Sequence, residues 1–160
     1  NSLRGMLFWL MGDLSYSTLP LWSLVVLTGS FVLTLVLARS LNVLAMGETT
    51  ARLLGEPTRH MLWLVYLLAS ILTATAVSIA GSIGFVGLIV PHILRLILGA
   101  DHRVLVPTSF FVGGAFLIVC DTVARTVLSP AEIPVGILTS VLGGPFFLWL
   151  LIKRRRDIFF

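Results

Sequence analysis

Long apolar stretches separated by short polar ones organise this sequence. Residues 14–38, 61–94, 104–120 and 133–152 contain no Asp, Glu, Lys or Arg. As a helix, the second stretch would measure about 50 Å, which is too long for one crossing of a bilayer core about 30 Å thick. It is interrupted at residues 81–84, Gly-Ser-Ile-Gly, a sequence typical of a turn. We therefore divide it into two elements.

The pattern predicts an all-α membrane protein with about five membrane-spanning helices. Transmembrane β-strands are excluded because they need about ten residues of alternating polarity, whereas these stretches are apolar on all sides. The expected spans are residues 19–38, 61–80, 85–98, 105–126 and 135–152. Residues 1–18 are expected to form a short helix and a loop outside the membrane core.

Composition supports a membrane protein. Of the 160 residues, 58% are hydrophobic and 11% are charged, and the mean hydropathy is +1.06. Soluble domains carry about 25% charged residues, so a soluble fold is excluded, as is a disordered chain. With Cys120 as the single cysteine, a disulfide-stabilised scaffold is also excluded. The net charge of +4 does not indicate nucleic-acid binding, because the basic residues lie at the ends of apolar stretches.

Lys and Arg residues set the expected orientation, because they are enriched in cytoplasmic loops. One side of the membrane would carry most of them, and the other side would carry Arg125 and Arg4. The residues on the richer side are Arg39, Arg52, Arg59, Arg95, Arg103, Lys153, Arg154, Arg155 and Arg156. That side is therefore expected to be cytoplasmic, together with residues 40–60 and the C-terminus, and residues 128–134 are expected outside.

Residues 40–60 form the one long polar connection. Glu48 with the two threonines after it is a plausible helix start, because acidic and hydroxyl residues favour the first turn. Gly55 and Pro57 are a stop signal. A short helix over residues 48–54 is therefore predicted. It could dock into a groove of a partner protein, or it could be an ordinary connector, and its residue types leave both open.

Several ordered motifs extend over almost the whole chain. They are Trp9-Leu10-Met11-Gly12 with Trp22; Met46-Gly47-Glu48 with Ala51-Arg52 and Leu54-Gly55; residues 81–95 (GSIGFVGLIVPHILR), followed by residues 99–103 (GADHR) and Pro107; residues 121–125 (DTVAR), followed by residues 132–137 (EIPVGI); and residues 143–147 (GGPFF). In content and order they resemble the FecCD/BtuC-type family of ABC importer permeases for ferric siderophores, haem and cobalamin. The resemblance is to the C-terminal half of a ten-span permease, from the end of its fifth span onward.

The resemblance implies a permease subunit that moves a metal chelate from periplasm to cytoplasm across the bacterial inner membrane. Its partners would be the lipid bilayer, a second permease subunit, ABC ATPases and a periplasmic substrate-binding protein, with no nucleic acid among them. The permease itself would not be an enzyme and would bind no metal or cofactor, because ATP and Mg²⁺ are held by the ATPase. Residues 1–18 would then be periplasmic.

The site residues implied by the resemblance fall into three groups. Residues 46–57 would hold the coupling helix, with ATPase contacts from Met46, Gly47, Glu48, Thr49, Ala51, Arg52, Leu54 and Gly55. Arg125 would pair with an acidic residue of the binding protein, and pairing with Asp121, one helical turn earlier, is the alternative. The translocation path would be lined from residues 135–147, with Val135, Gly136, Thr139 and Gly143 as candidates. Gly143-Gly144-Pro145 is expected to break this last span.

Two other function classes compete with this interpretation. An intramembrane serine protease built on Ser82 would need a base within hydrogen-bond reach. His92 would lie about 15 Å along the helix, and His102 is expected on the opposite side of the membrane. A secondary transporter of an organic solute, with no ATPase partner, is the remaining alternative, although such carriers usually place ionisable residues inside their spans.

The histidines carry no metal-site spacing. His92 is expected to be a hydrogen-bonded packing residue near the cytoplasmic interface, whereas His60 and His102 are expected to be solvated in cytoplasmic loops.

Overall fold

A computed structural model of the chain describes residues 2–14, 20–126 and 133–156. The expected loop at residues 128–134 and the end of the segment 1–18 lie largely outside this part. The described residues form helices and no strand. The helices are α1 (Ser2–Leu10), α2 (Leu21–Val36), α3 (Ala38–Ala45), α4 (Glu48–Leu53), α5 (Thr58–Ala80), α6 (Val86–Leu98), α7 (His102–Thr126) and α8 (Val135–Arg156).

Three of the described helices are long and apolar enough to cross a membrane, namely α5, α7 and the Val135–Lys153 part of α8. Helices α2 and α3 meet this criterion only together, as a pair bent by 58°, which raises the number to four. Helix α6 has 13 residues, so it measures about 20 Å and is shorter than the bilayer core. The all-α membrane fold is confirmed, whereas the count of five spans stays a prediction.

Helix α8 corrects one expectation. The predicted break at Gly143-Gly144-Pro145 is wrong, because α8 continues through Pro145 to Arg156. Proline normally clashes with the Cβ of the residue before it. Here that residue is Gly144, which has no Cβ, although α6 and α7 also continue through Pro91 and Pro107 after valines. Transmembrane helices tolerate proline in this way when neighbouring groups satisfy the freed carbonyl.

The polar connection over residues 40–60 is more helical than expected. The predicted short helix is confirmed as α4, one residue shorter at its end. The residues before it form a further helix, α3, where a loop is expected from the sequence. Its apolar residues Ala38, Leu41 and Ala45 recur at spacings of three and four, the pattern of an amphipathic helix. The connection is therefore a pair of packed short helices.

One compact unit of the chain comprises α1, the turn between α5 and α6, most of α6, the second part of α7 and α8. Backbone hydrogen bonds join three of its segments. The N–H of Asp13 donates to the carbonyl of Ala80 at 3.0 Å, and the N–H of Gly136 donates to the carbonyl of Gly12 at 3.2 Å. The end of α1, the end of α5 and the start of α8 therefore meet backbone to backbone.

This meeting point, which we call the glycine contact, is too close for side chains. A Cβ added at Gly81 would overlap the carbonyl oxygen of Trp9, and one added at Gly136 would overlap that of Met11. Gly81 also has φ +70°, in the left-handed region that favours glycine. The Gly-Ser-Ile-Gly turn predicted from the sequence is thus a packing element as well as a break between helices.

The second compact unit comprises α2, α3, α4, most of α5, the end of α6 and the start of α7. Within it, Ser23 and Ser30 of α2 are buried. The hydroxyl of Ser23 donates to the carbonyl of Pro20 at 2.7 Å, which stabilises the start of α2. The rings of Phe31 and Phe110 lie 4.8 Å apart. Small buried hydroxyl residues of this kind let membrane helices pack closely.

Candidate coupling site

Helix α4 is defined at both ends by glycine. Gly47 before it has φ +103° and Gly55 after it has φ +82°, conformations that residues with a Cβ rarely adopt. Glu48 lies in its first turn and Arg52 in its last, which complements the helix dipole at both ends. The two side chains form an ion pair at 2.5 Å. Both are more than half exposed, so this pair adds little stability.

The inner side of α4 is fixed to the rest of its unit. Ala51 is completely buried, and its carbonyl accepts a hydrogen bond from the N–H of Glu56 at 3.0 Å. The Arg52 Nε donates to the hydroxyl of Thr58 at 3.2 Å. The hydroxyl of Ser40 on α3 donates to the Glu56 carboxylate at 3.1 Å. Helices α3 and α4 and the first residue of α5 are therefore held as one body, which we call the α3–α4 hairpin.

The outer side of α4 is exposed and partly apolar. Leu53 is 84% exposed, and Leu54 and Met46 are 62% and 66% exposed. A shallow depression is lined by Glu48, Thr49, Arg52 and Leu53. Exposed leucines beside a charged pair, on a helix of six residues that cannot cross a membrane, form a surface suited to a protein partner.

The residues expected to contact an ATPase divide between the two sides. Ala51 points inward and packs α4 onto the chain, so its small size serves internal packing. Gly47 and Gly55 act through their backbone conformation. The exposed members are Met46, Glu48, Thr49, Arg52 and Leu54. Leu53 of α4, which is 84% exposed, was missed, because no local signal in the sequence shows which face of so short a helix packs inward.

A second polar cluster joins α3 to the connection between α6 and α7. The Asn42 amide Nδ2 donates to a carboxylate oxygen of Asp101 at 2.7 Å. The amide oxygen of Asn42 accepts the backbone N–H of His102 at 2.8 Å and lies 2.7 Å from His102 Nδ1. The same Asp101 oxygen accepts the N–H of Arg103 at 2.9 Å. We call Asn42, Asp101 and His102 the polar clasp.

The polar clasp corrects the expectation that His102 is solvated. His102 opens α7 and is half-buried, because its backbone and ring both face Asn42. The hydrogen bonds from Asn42 and from the Arg103 N–H hold the pKa of the Asp101 carboxyl below its ordinary value. Asp101 is therefore ionised at physiological pH. His60, by contrast, is exposed as expected.

Arg125 lies near the end of α7 and pairs with Asp121. Its Nε is 2.8 Å from the Asp121 carboxylate, with side chains 40% and 25% exposed. The pairing predicted from the i, i+4 spacing is therefore confirmed, and docking of a partner on Arg125 stays a prediction. His92 packs edge-on against Phe146 of α8 at a ring distance of 6.1 Å, whereas its expected hydrogen bond and its place near the cytoplasmic interface stay predictions.

The four residues expected to line a translocation path are buried within their own unit. Val135 and Thr139 are almost completely inaccessible, and the Thr139 hydroxyl donates to the carbonyl of Gly136 at 3.1 Å. Gly136 belongs to the glycine contact, and Gly143 faces the ring of Phe85. These positions contact the chain itself, so their role as a path lining stays a prediction.

Comparisons with known proteins agree with one another. The family model described as the FecCD transport family matches residues 1–153. The hemin transport system permease protein HmuU of Yersinia pestis is 46% identical over 98% of this chain and 48% of its own length. The cobalamin import system permease protein BtuC of Halobacterium salinarum is 50% identical over 97% of this chain and 42% of its own length.

A solved structure gives the same result. An inward-facing putative metal-chelate type ABC transporter has a TM-score of 0.85 and 39% identity to this chain, covering 96% of it and 50% of the solved chain. The chain thus spans about half the length of the relatives it matches.

Proposed function

The chain belongs to the FecCD transport family, and from this premise we propose that it forms part of the membrane permease of an ATP-driven importer. Its cargo would be a metal chelate, either a ferric siderophore, haem or cobalamin, moved from periplasm to cytoplasm. Relatives named as hemin and cobalamin permeases support this cargo class. The permease hydrolyses nothing and binds no cofactor, since ATP and Mg²⁺ belong to a separate ATPase.

The observation that carries this proposal is the form of the α3–α4 hairpin. Helix α4 is bounded by two left-handed glycines and fixed on its inner side, and it exposes Leu53 on its outer side. A fixed helix with an exposed apolar face can be pushed by a partner as a rigid body. We assign this face to contact with the ATPase.

The remaining partners follow from the same proposal. A second permease subunit would complete the transport path, and a periplasmic binding protein would dock near Arg125, where an arginine can recognise a carboxylate. The distribution of Lys and Arg supports a cytoplasmic C-terminus in the bacterial inner membrane. On this orientation α4 faces the cytoplasm, where the ATPase is.

Substitution of Leu53 tests the ATPase contact. Leu53→Asp in the complete permease should lower the amount of co-purified ATPase by about tenfold or more, the effect of losing an interface hot spot. His60→Asp is the control, since His60 is exposed in the polar connection outside the expected spans. His60 lies in the first turn of α5, where an aspartate suits the helix dipole.

The control should retain the ATPase. Equal recovery from both variants would remove α4 from the interface. Transport by the permease without any ATPase would instead favour the secondary transporter.

A further inference from the structure

The polar clasp lies outside the ATPase-facing surface, yet it attaches the α3–α4 hairpin to another helix. We infer that Asn42, Asp101 and His102 are positioning residues that transmit a displacement of α4 to the first turn of α7. This inference rests on the proposed function, because an ATPase must displace α4. It assigns a role to three residues that do not face the partner.

The first step is that Asn42 caps a helix other than its own. The first N–H groups of a helix have no partner within it. In α7, the N–H of Arg103 is accepted by the side chain of Asp101, the ordinary N-cap arrangement. The N–H of His102 is accepted by Asn42 of α3. The start of α7 is therefore completed by a side chain of the α3–α4 hairpin.

The second step is that the clasp has a defined donor and acceptor pattern. A backbone N–H can only donate, so the amide atom of Asn42 that faces His102 is its oxygen. The His102 Nδ1 near that oxygen must then carry its proton. The Asn42 Nδ2 is left to donate to the Asp101 carboxylate. Each of these atoms of Asn42, Asp101 and His102 therefore acts either as a donor or as an acceptor, and the geometry leaves no second assignment.

The third step is that the clasp is the short route between the two elements. Asn42 and Asp101 are 59 residues apart in the chain. The covalent path between them runs through α4, α5 and α6. On the other side of Asn42, Ser40 binds Glu56 and α3 packs on α4. A push on α4 therefore reaches the start of α7 through a few hydrogen bonds.

An exchange of side chains tests this route. Asn42→Asp keeps an oxygen for the His102 N–H, but it loses the donor to Asp101 and brings two like charges together. Asp101→Asn, added to it, restores one donor and one acceptor across the contact after a small rotation of the side chain. The pair of variants therefore separates loss of the contact from loss of a particular residue.

Two reporter positions distinguish the inference from the proposed function. The complete permease is assembled with its ATPase, and a fluorophore is attached to a cysteine at Thr50 on α4 or at Val104 in the first turn of α7. Thr50 is exposed, and Val104 is 45% exposed. The probe added is ATP with Mg²⁺, and the change in fluorescence is measured at each position in turn.

In the otherwise unchanged protein, both reporters should respond to ATP. Asn42→Asp should keep the response at Thr50 and reduce that at Val104 by about tenfold, the effect expected from losing a charge-assisted hydrogen bond. The Asn42→Asp, Asp101→Asn double variant should recover the response at Val104.

Other results would overturn the inference. In Asn42→Asp, the inference fails if the fluorescence response at Val104 is undiminished or if the response at Thr50 is lost. It also fails if the double variant does not recover the response at Val104. A silent Thr50 reporter in the unchanged protein would instead overturn the proposed function, and the inference with it.

Discussion

The two compact units of the chain hold their segments together by different means. In the first, α1, the α5–α6 turn and α8 meet through backbone atoms at Gly81 and Gly136, with no space for a Cβ. In the second, the α3–α4 hairpin meets the start of α7 through the side chains of Asn42, Asp101 and His102. One contact is closely packed backbone that is also hydrogen-bonded, and the other is made of hydrogen bonds from side chains.

This difference indicates which part of the chain can move. Close backbone packing is not continuously deformable, because interiors are dense and voids are few. A side-chain hydrogen bond tolerates modest changes of distance and angle, so the polar clasp can follow a displacement of α4 while it stays formed. We expect the glycine contact to keep its geometry during transport and the polar clasp to adjust its geometry.

The largest expected effect is at the glycine contact. Gly136→Ala would place a Cβ against the carbonyl oxygens of Met11 and Ser82. Overpacking a core costs about 1–3 kcal/mol and occasionally more, and here the obstacle is backbone that cannot rotate away. We expect a loss of more than about 3 kcal/mol, measured as a lower midpoint of thermal unfolding of the complete permease in detergent.

Gly114→Ala is the matched control for this substitution. Gly114 also lies in a helix, α7, but a Cβ there would meet no atom within 4 Å. Alanine is a better helix former than glycine by about 1 kcal/mol, so this variant should be neutral or slightly stabilised. Equal unfolding midpoints for the two variants would show that the backbone at the glycine contact can shift to make room for a Cβ. The two units would then not differ in rigidity as we expect.

A smaller effect is expected on the inner side of α4. Ala51→Leu would add a large side chain at a position with no accessible surface, at a cost of about 1–3 kcal/mol. Helix α4 can shift more easily than a backbone contact, so the loss should appear mainly as weaker ATPase recovery. Thr50→Leu, on the exposed side, should change stability by less than about 0.5 kcal/mol. Similar ATPase recovery from both variants would contradict a fixed inner side.

Local signals in the sequence predicted much of this fold. Glycines at positive φ produced recognisable breaks, so the turn at Gly81 and the end of α4 at Gly55 were placed correctly. Glu48 likewise predicted the start of α4. The membrane class followed from apolar content alone, because few charged residues are available for a soluble surface.

Contacts between distant residues were not predictable in the same way. Nothing near Asn42 in the sequence indicates Asp101, so His102 was placed in solvent. The continuity of α8 through Pro145 was not predictable from local signals, because a proline is tolerated in a membrane helix when neighbouring groups satisfy the freed carbonyl. Leu53 was missed because exposure within a short helix depends on which face packs inward. The path residues and the orientation in the membrane stay predictions.

The smallest expected effect is at the ion pair on α7. Asp121 and Arg125 are partly exposed and one helical turn apart, and such pairs contribute about 0–1 kcal/mol. Asp121→Asn should therefore lower stability by less than about 1 kcal/mol, measured by the same thermal unfolding at low salt. The difference from the unchanged protein should shrink in 1 M salt, because screening then acts over about 3 Å. A loss comparable with that of Gly136→Ala would mean that a pair of side chains can hold two segments as firmly as close backbone packing does. The difference between backbone packing and side-chain contacts would then no longer separate the rigid from the movable parts of the chain.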